Sequence, residues 1–142
     1  MVKIKTPMVP IEMTAEAPTA ARTHVRILDH ELVMDEPLSR HGTDLGPTPL
    51  DTLVAALAGC TNVVANRIAE ENGIDVSDLA IEIRSELDVR GIRGIKEIDR
   101  PLPYVDLVIR FSTSAPDDKL EILKAQLSKR CAVSVIFRQA GI

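Results

Sequence analysis

The chain has 142 residues, a net charge of −4 and 45% hydrophobic residues, of which few are aromatic. This length fits a single domain over residues 1–142 with an aliphatic core, and the acidic balance disfavours nucleic acid as a partner. The sequence has no signal-like apolar start and no apolar run as long as a membrane span, so we expect a cytoplasmic protein with no membrane partner.

The N-terminal part of the sequence predicts short strands followed by a loop. Residues 1–21 are rich in Pro and Ala and are typical of a short strand with irregular chain around it. Alternation of apolar and polar residues predicts strands over 22–28 and 30–35, joined near Asp29. Pro and Gly residues then predict a loop over 36–46.

The strongest helical signal lies over residues 50–72. Pro49 stands just before it, Asp51 falls in the first turn, where it favours the positive end of the helix dipole, and Gly73 follows the last turn. No charged or strongly polar side chain occurs over 53–60. A helix that is apolar on every side is expected to be buried on every side, at the centre of the domain.

The C-terminal part predicts two strands, a second helix and a closing strand. The strands are expected over 79–89 and 104–112, with a connection between them. An S-x-x-D pattern over 114–117 predicts the start of the helix, and the apolar residues of 132–139 predict the closing strand. The expected class is α+β, with antiparallel sheets packed around a long central helix.

The two cysteines, Cys60 in the long helix and Cys131 after the second helix, belong to no CxxC pair. Two thiols are too few for a structural metal, and the three histidines (His24, His30 and His41) fit no ligand spacing, so neither a metal nor a cofactor is expected. In a reducing compartment the cysteines are either inert core residues or a redox pair.

A reactive Cys60 needs a cation from another segment, because burial in apolar surroundings raises the pKa of a thiol. Arg22, Arg26 and Arg40 are the candidates on the N-terminal strands and loop. Beside Cys131, the basic side chains of Lys129 and Arg130 are expected to favour the ionised form of that thiol.

Two segments resemble a family signature. The first is residues 29–61, DHELVMDEPLSRHGTDLGPTPLDTLVAALAGCT, and the second is residues 129–134, KRCAVS. The first resembles the OsmC/Ohr family (osmotically inducible protein C-like and organic hydroperoxide resistance-like), which carries D-x-x-L-x-x-D-E-P, a Gly-containing loop, a Pro at the helix entry and L-x-x-A-L-x-x-C. The second resembles that family's C-P-V-S, and the resemblance covers residues 22 to 142.

The resemblance implies an intertwined homodimer of α+β subunits that reduces organic hydroperoxides in oxidative stress defence. In such proteins, a cysteine at the position of Cys60 becomes a sulfenic acid and one at the position of Cys131 condenses with it to a disulfide. A small or lipoyl dithiol is the expected reductant. An Arg steadies the thiolate and a helix-entry carboxylate holds that Arg; Arg22 and Asp51 match these positions best.

Two departures from the family pattern motivate an alternative function. Leu50 stands where the hydroperoxide-reductase branch has Glu, and Ala132 stands where Pro is usual. A binding or carrier protein on the same fold, without efficient turnover, is therefore the first alternative. Arg26 and Arg40 remain alternatives to Arg22, and Asp51 could serve only the helix dipole.

A second alternative is an RNA-binding module that uses the basic loop from Arg90 to Lys96. Its Gly91-Ile92-Arg93-Gly94 is similar to the GXXG loop of KH domains. A KH loop needs a helix on both sides, whereas a strand pattern precedes this one. We therefore expect an exposed basic connection between strands and no nucleic-acid partner.

Overall fold

A computed structural model describes residues 8–142, which divide along the chain into two compact units, one ending at Thr52 and the other beginning at Leu53. The predicted structure over residues 1–7 lies outside the described part of the chain. The strands are β1 (Thr14–Glu16), β2 (Thr23–Ile27), β3 (His30–Met34), β4 (Ser77–Ser85) and β5 (Val105–Ser112). The helices are α1 (Pro49–Asn72), α2 (Asp117–Arg130) and α3 (Ala132–Gln139).

The first unit contains an antiparallel sheet in the order β1-β2-β3. The two predicted strands are confirmed as β2 and β3, which pair from Thr23 opposite Met34 to Ile27 opposite His30. A tight turn at Leu28 and Asp29 joins them, with Leu28 in the left-handed region at φ 53°. The loop that follows contains one short 3-10 turn, Leu38–Arg40.

Helix α1 confirms the strongest helical prediction. Gly73, at φ 60°, ends the helix as expected. Burial on every side is wrong for this chain: Leu57, Thr61 and Ile68 are buried, but Leu53 is 49% exposed and Val63 is 61% exposed. The reason is that the described elements of a single chain leave part of the helix surface uncovered, including the face that carries Val63.

Helix α1 is the element on which the expectation about membrane spans depends. It is long and apolar enough to cross a membrane when judged by length and composition alone. The core helix of a soluble domain meets the same test. The expectation counted uninterrupted apolar residues, whereas Asn62 and Asn66 interrupt this helix without lowering its mean hydropathy enough to fail the test.

In the second unit β4 and β5 form an antiparallel pair, with half-buried and exposed side chains alternating along both strands. Helix α2 starts after Pro116, whose side chain makes no capping hydrogen bond, so the predicted S-x-x-D cap is wrong. Ser114 instead gives its backbone N–H and hydroxyl to the carboxylate of Asp75, at 2.8 and 2.9 Å. This contact ties the residues after α1 to the start of α2.

The closing strand predicted over 132–139 is wrong, because these residues form helix α3. The segment AVSVIFRQ has five apolar residues among its eight and fits either period, and sequence pattern alone does not separate a short helix from a strand. Packing decides: α3 contacts α2 and buries Phe137. Cys131 adopts an extended conformation between the two helices, with φ −71° and ψ 103°.

Candidate active site

The two cysteine sulfurs lie together in the second unit. Cys60 Sγ in α1 and Cys131 Sγ between α2 and α3 are 3.1 Å apart, and both are free thiols. A disulfide bond is about 2.05 Å long, so this distance is a close non-bonded contact in which the Cys131 S–H points at Cys60 Sγ. Once one sulfur has been oxidised, an approach of about 1 Å brings the pair to disulfide length.

Cys131 is the more enclosed of the two thiols. It is 1% exposed, whereas Cys60 is partly exposed. Burial raises the pKa of the Cys131 thiol, and the neighbouring Cys60 adds to that rise. A backbone hydrogen bond from Ser134 and the hydroxyl of Thr61, 3.9 Å from the sulfur, partly offset it.

The expectation that Lys129 and Arg130 favour ionised Cys131 is wrong, because the pKa of that thiol is raised. Both basic side chains lie on the exposed surface of α2. Arg130 donates to the carboxylate of Glu71 at 2.5 Å and to Gln126 at 2.8 Å. Adjacency along the chain therefore does not bring these charges to the sulfur.

A cavity of about 280 Å³ lies within the second unit beside Cys131. Its walls combine apolar side chains of β5 and α2 with a few polar groups. The lining residues are Thr61, Leu107, Ile109, Lys124, Leu127, Ser128, Cys131 and Ser134. The cavity gives a small molecule a place next to the Cys131 sulfur.

Among Arg22, Arg26 and Arg40, the candidate cations for Cys60, Arg22 is the one with a buried donor that has no partner in residues 8–142. Its Nη1 donates to Thr43 Oγ1 at 3.2 Å, and its Nε is buried with no hydrogen-bond partner in residues 8–142. Arg40 pairs with Glu36 at 2.6 Å, and Arg26 is exposed on β2. Arg22 thus keeps a desolvated donor that another group could use.

Asp51 lies in the first turn of helix α1 and pairs with Thr48, the N-cap residue. Its carboxylate accepts hydrogen bonds from the backbone N–H and the hydroxyl of Thr48, at 3.2 and 2.6 Å, and its own N–H donates to Thr48 Oγ1 at 3.2 Å. This reciprocal arrangement is a capping box. In the described part of the chain no hydrogen bond or ion pair joins Asp51 to Arg22, so its predicted role as the arginine's anchor stays a prediction.

Sequence reasoning missed Asp35 and Thr43. Asp35 is fully buried, and its carboxylate accepts hydrogen bonds from the backbone N–H groups of Glu36, Thr43 and Leu45 and from the Thr43 hydroxyl. Thr43 bonding holds the pKa of this carboxyl below its usual value. The D-E-P stretch of the family signature marked Asp35, but only the folded loop reveals what it binds.

The structure gives little support to the basic loop or the histidines as functional sites. The Arg90–Lys96 loop connects β4 to β5, and Arg90 is paired with Asp88 at 2.5 Å, which offsets part of its charge. Residues 8–142 contain no group of three or more His, Cys, Asp or Glu side chains placed to hold a metal. His24 pairs with Glu31 at 3.0 Å on the first sheet.

Comparison with solved structures identifies the fold. An OsmC-like protein from Mycoplasma pneumoniae has a TM-score of 0.76 and 19% identity, covering 92% of this chain and 88% of that one. An organic hydroperoxide resistance protein OsmC from Legionella pneumophila gives 0.63 and 16%, covering 94% and 92%. One from Elizabethkingia anophelis gives 0.66 and 13%, covering 94% and 91%. None of the curated proteins matches the sequence.

The sequence itself matches the family model described as OsmC-like protein over residues 42–142. The match includes α1, both cysteines and every element of the second unit. It agrees with the α+β architecture of small antiparallel sheets and three helices. The chain therefore belongs to the OsmC-like protein family, which includes hydroperoxide-resistance proteins.

Proposed function

We propose that this protein is a thiol peroxidase that reduces organic hydroperoxides through Cys60 and Cys131. The observation that carries the proposal is the 3.1 Å contact between the two sulfurs. The Cys60 thiolate attacks the terminal oxygen of ROOH; with one proton taken up, the O–O bond breaks to give ROH and a Cys60 sulfenic acid. Cys131 then displaces that oxygen as water and forms the disulfide.

The environments of the thiols suit this division of roles. The Cys131 S–H donates towards Cys60 Sγ, so a thiolate formed on Cys60 would accept a hydrogen bond from Cys131. Because burial raises the pKa of Cys131, its thiol stays protonated until the Cys60 sulfenic acid has formed. Its proton then leaves with the hydroxyl of the sulfenic acid as water.

A dithiol completes the cycle. Its first thiolate attacks one sulfur of the disulfide, and its second closes a new disulfide on the reductant, which returns both cysteines to thiols. Small dithiols and lipoyl groups have this chemistry. No metal or cofactor is required by these steps.

Arg22 supplies the positive charge for the Cys60 thiolate in this proposal. Its support is the resemblance of the sequence position and the buried Nε without a partner in residues 8–142. Asp51 contributes by pairing with Thr48 at the start of the helix that carries Cys60. Whether it also holds the arginine is a separate prediction.

The functional unit is proposed to be a homodimer. Ala56, Gly59 and Val63 form an open face of α1, opposite the buried Leu57 and Ile68 at about 100° per residue. An apolar strip of this kind on a long helix favours burial against another protein surface. A second copy of the chain, as the family resemblance implies, would cover it.

The cytoplasm is the proposed location, since reduced and closely spaced thiols need a reducing compartment to persist.

The test is a titration of the reduced protein with cumene hydroperoxide. We expect one equivalent to consume both thiols and lower the intact mass by about 2 Da, the two hydrogens lost in forming a disulfide. C131S should instead stop at a sulfenic acid that dimedone traps on Cys60. C60S should leave Cys131 unoxidised, and retention of both thiols in the unmodified protein would refute the proposal.

The second candidate is a binding or carrier protein on the same fold. Leu50 and Ala132 depart from the family pattern, and the cavity beside Cys131 could hold a ligand without any redox step. A protein whose thiols resist hydroperoxide while small apolar ligands bind stoichiometrically in calorimetry would favour this function.

A further inference from the structure

The loop after β3 surrounds a buried carboxylate that no step of the proposed reaction uses. Asp35 is fully buried, and its four hydrogen bonds to Glu36, Thr43 and Leu45 have lengths of 2.5–3.3 Å. A buried charge is unfavourable unless it is well satisfied. All the hydrogen bonds that the Asp35 carboxylate accepts come from backbone N–H groups and a hydroxyl. Within residues 8–142 it forms no direct ion pair.

Thr43 links this carboxylate to Arg22. The Thr43 hydroxyl donates its one hydrogen to Asp35 Oδ2 at 2.5 Å, which turns its lone pairs towards Arg22 Nη1 at 3.2 Å. Hydrogen bonds in such a chain polarise one another. Arg22 therefore meets an oxygen with an orientation and charge set by Asp35.

The loop backbone is shaped to hold this arrangement. A Cβ on Gly42 would lie 1.7 Å from Glu36 O, and one on Gly46 would lie 2.3 Å from Val33 O, so the chain passes too closely for a side chain at either place. His41 and Asp44 adopt left-handed conformations, with φ 64° and 57°. Unfavourable backbone of this kind persists only where surrounding contacts fix it, and Asp35 accepts hydrogen bonds from Thr43 and Leu45, the residues on both sides of Asp44.

We propose that Asp35, acting through the Thr43 hydroxyl, is a positioning residue that fixes the Arg22 guanidinium for its role at the Cys60 thiolate. The role of Arg22 at the Cys60 thiolate rests on the proposed function. The hydrogen bonds that link Asp35, Thr43 and Arg22 lie within the first unit and do not depend on that function.

The sharpest variant is T43V, which has nearly the shape of Thr and keeps the backbone N–H that Asp35 accepts. T43S is its matched control because it restores the hydroxyl. The rate of the first oxidation step, measured as Cys60 sulfenic acid formation in a C131S background, is expected to fall about tenfold in T43V, the effect of losing a charge-assisted hydrogen bond. T43S should stay within about threefold of the parent.

An R22A background separates positioning from general disturbance. If Thr43 acts through Arg22, adding T43V to R22A should change the rate by less than twofold, since coupled residues are not additive. An equal tenfold loss in both backgrounds would overturn the proposal. So would an unchanged rate in T43V alone, and in that case the peroxidase function itself would stand.

A readout without activity covers the case in which the protein does not reduce hydroperoxides. The Arg22 Nε–H signal in a ¹⁵N NMR spectrum, assigned by its absence in R22K, is expected to exchange with water about fivefold faster in T43V and to return towards the original rate in T43S. Unchanged exchange in T43V would overturn the positioning. If the unmodified protein does not react with hydroperoxide but the Arg22 Nε–H still exchanges faster in T43V, only the proposed function is refuted.

Discussion

At the scale of single residues, two cysteines of the same chain have been given different environments. Cys60 is partly exposed on a long helix, and Cys131 is enclosed between two helices, where burial raises the pKa of its thiol. The sequence predicted that these two cysteines are the candidates for redox chemistry. It could not predict the difference, because Arg130, next to Cys131 in the chain, binds Glu71 and burial governs the Cys131 thiol.

This difference is testable by alkylation. With limiting iodoacetamide at pH 7.5, Cys60 is expected to be modified at least about tenfold faster than Cys131, because the reactive form is the thiolate and access to Cys131 is restricted. Peptide mass spectrometry after timed quenching measures both rates. In guanidinium chloride the two rates should converge; preferential labelling of Cys131 in the folded protein would contradict the assigned roles.

Gly42 is a second position where one residue decides local structure. G42A would place a methyl group against the Glu36 carbonyl, so we expect it to lower the free energy of unfolding by about 3 kcal/mol. G73A is the matched comparison: its Cβ would contact only the end of Lys119, and left-handed strain alone costs about 1 kcal/mol. Urea denaturation of the reduced proteins measures both, and equal losses would contradict the crowding at Gly42.

At the scale of elements, local signals predicted the middle of the chain well. The β2–β3 pair, helix α1 and its glycine stop, and the β4–β5 pair follow from period and turn residues. The start of α2 and the helical structure of α3 do not follow from these local signals. Ser114 is bound by Asp75, 39 positions earlier, and α3 is a helix because it packs on α2. Contacts between residues so far apart in the sequence cannot be predicted from a local pattern.

The Asp75 contact predicts a specific acid sensitivity. Bonds from Ser114 hold the pKa of Asp75 below its usual value of 3.8, so its stabilising effect is complete above that value and is lost as the pH falls through the lower folded-state pKa. D75N should be less stable than the parent at pH 6, and the gap should narrow between pH 4 and pH 2.

The free energy of unfolding from urea titrations across this pH range gives the measurement. D78N is the control, since Asp78 is exposed and Asn tolerates its left-handed φ of 51°. D78N should follow the parent at every pH. A constant gap between D75N and the parent down to pH 2 would contradict the role of the Asp75 charge.

At the scale of the whole molecule, the central helix is only half covered by its own chain. Leu53 and Val63 remain exposed on a helix with enough apolar residues to be a core element. The sequence reported the apolar composition correctly. It led to the expectation of complete burial because a sequence does not distinguish surface that a chain covers by itself from surface that a partner covers.

V63K tests the dimer directly. A lysine in the open face of α1 is expected to convert a dimer of about 31 kDa, twice the chain mass of 15.5 kDa, into a monomer, because it would bury an unpaired charge. Light scattering after size-exclusion chromatography gives the mass. I92K, which changes a 76% exposed residue of the β4–β5 connection, should remain dimeric, and a monomeric parent protein would contradict the proposal.

The sequence by itself determined the class of fold, the long helix, the two cysteines and the family signature that joins them, because these depend on period, turn residues and motif spacing. Tertiary structure decided that the sulfurs lie 3.1 Å apart, that Cys131 is buried, that Asp51 pairs with Thr48 at the start of a helix and that Asp35 reaches Arg22 through Thr43. The physical reason is that hydrogen bonds and desolvation depend on atoms a few ångströms away. The chain brings those atoms together from distant positions only when it folds.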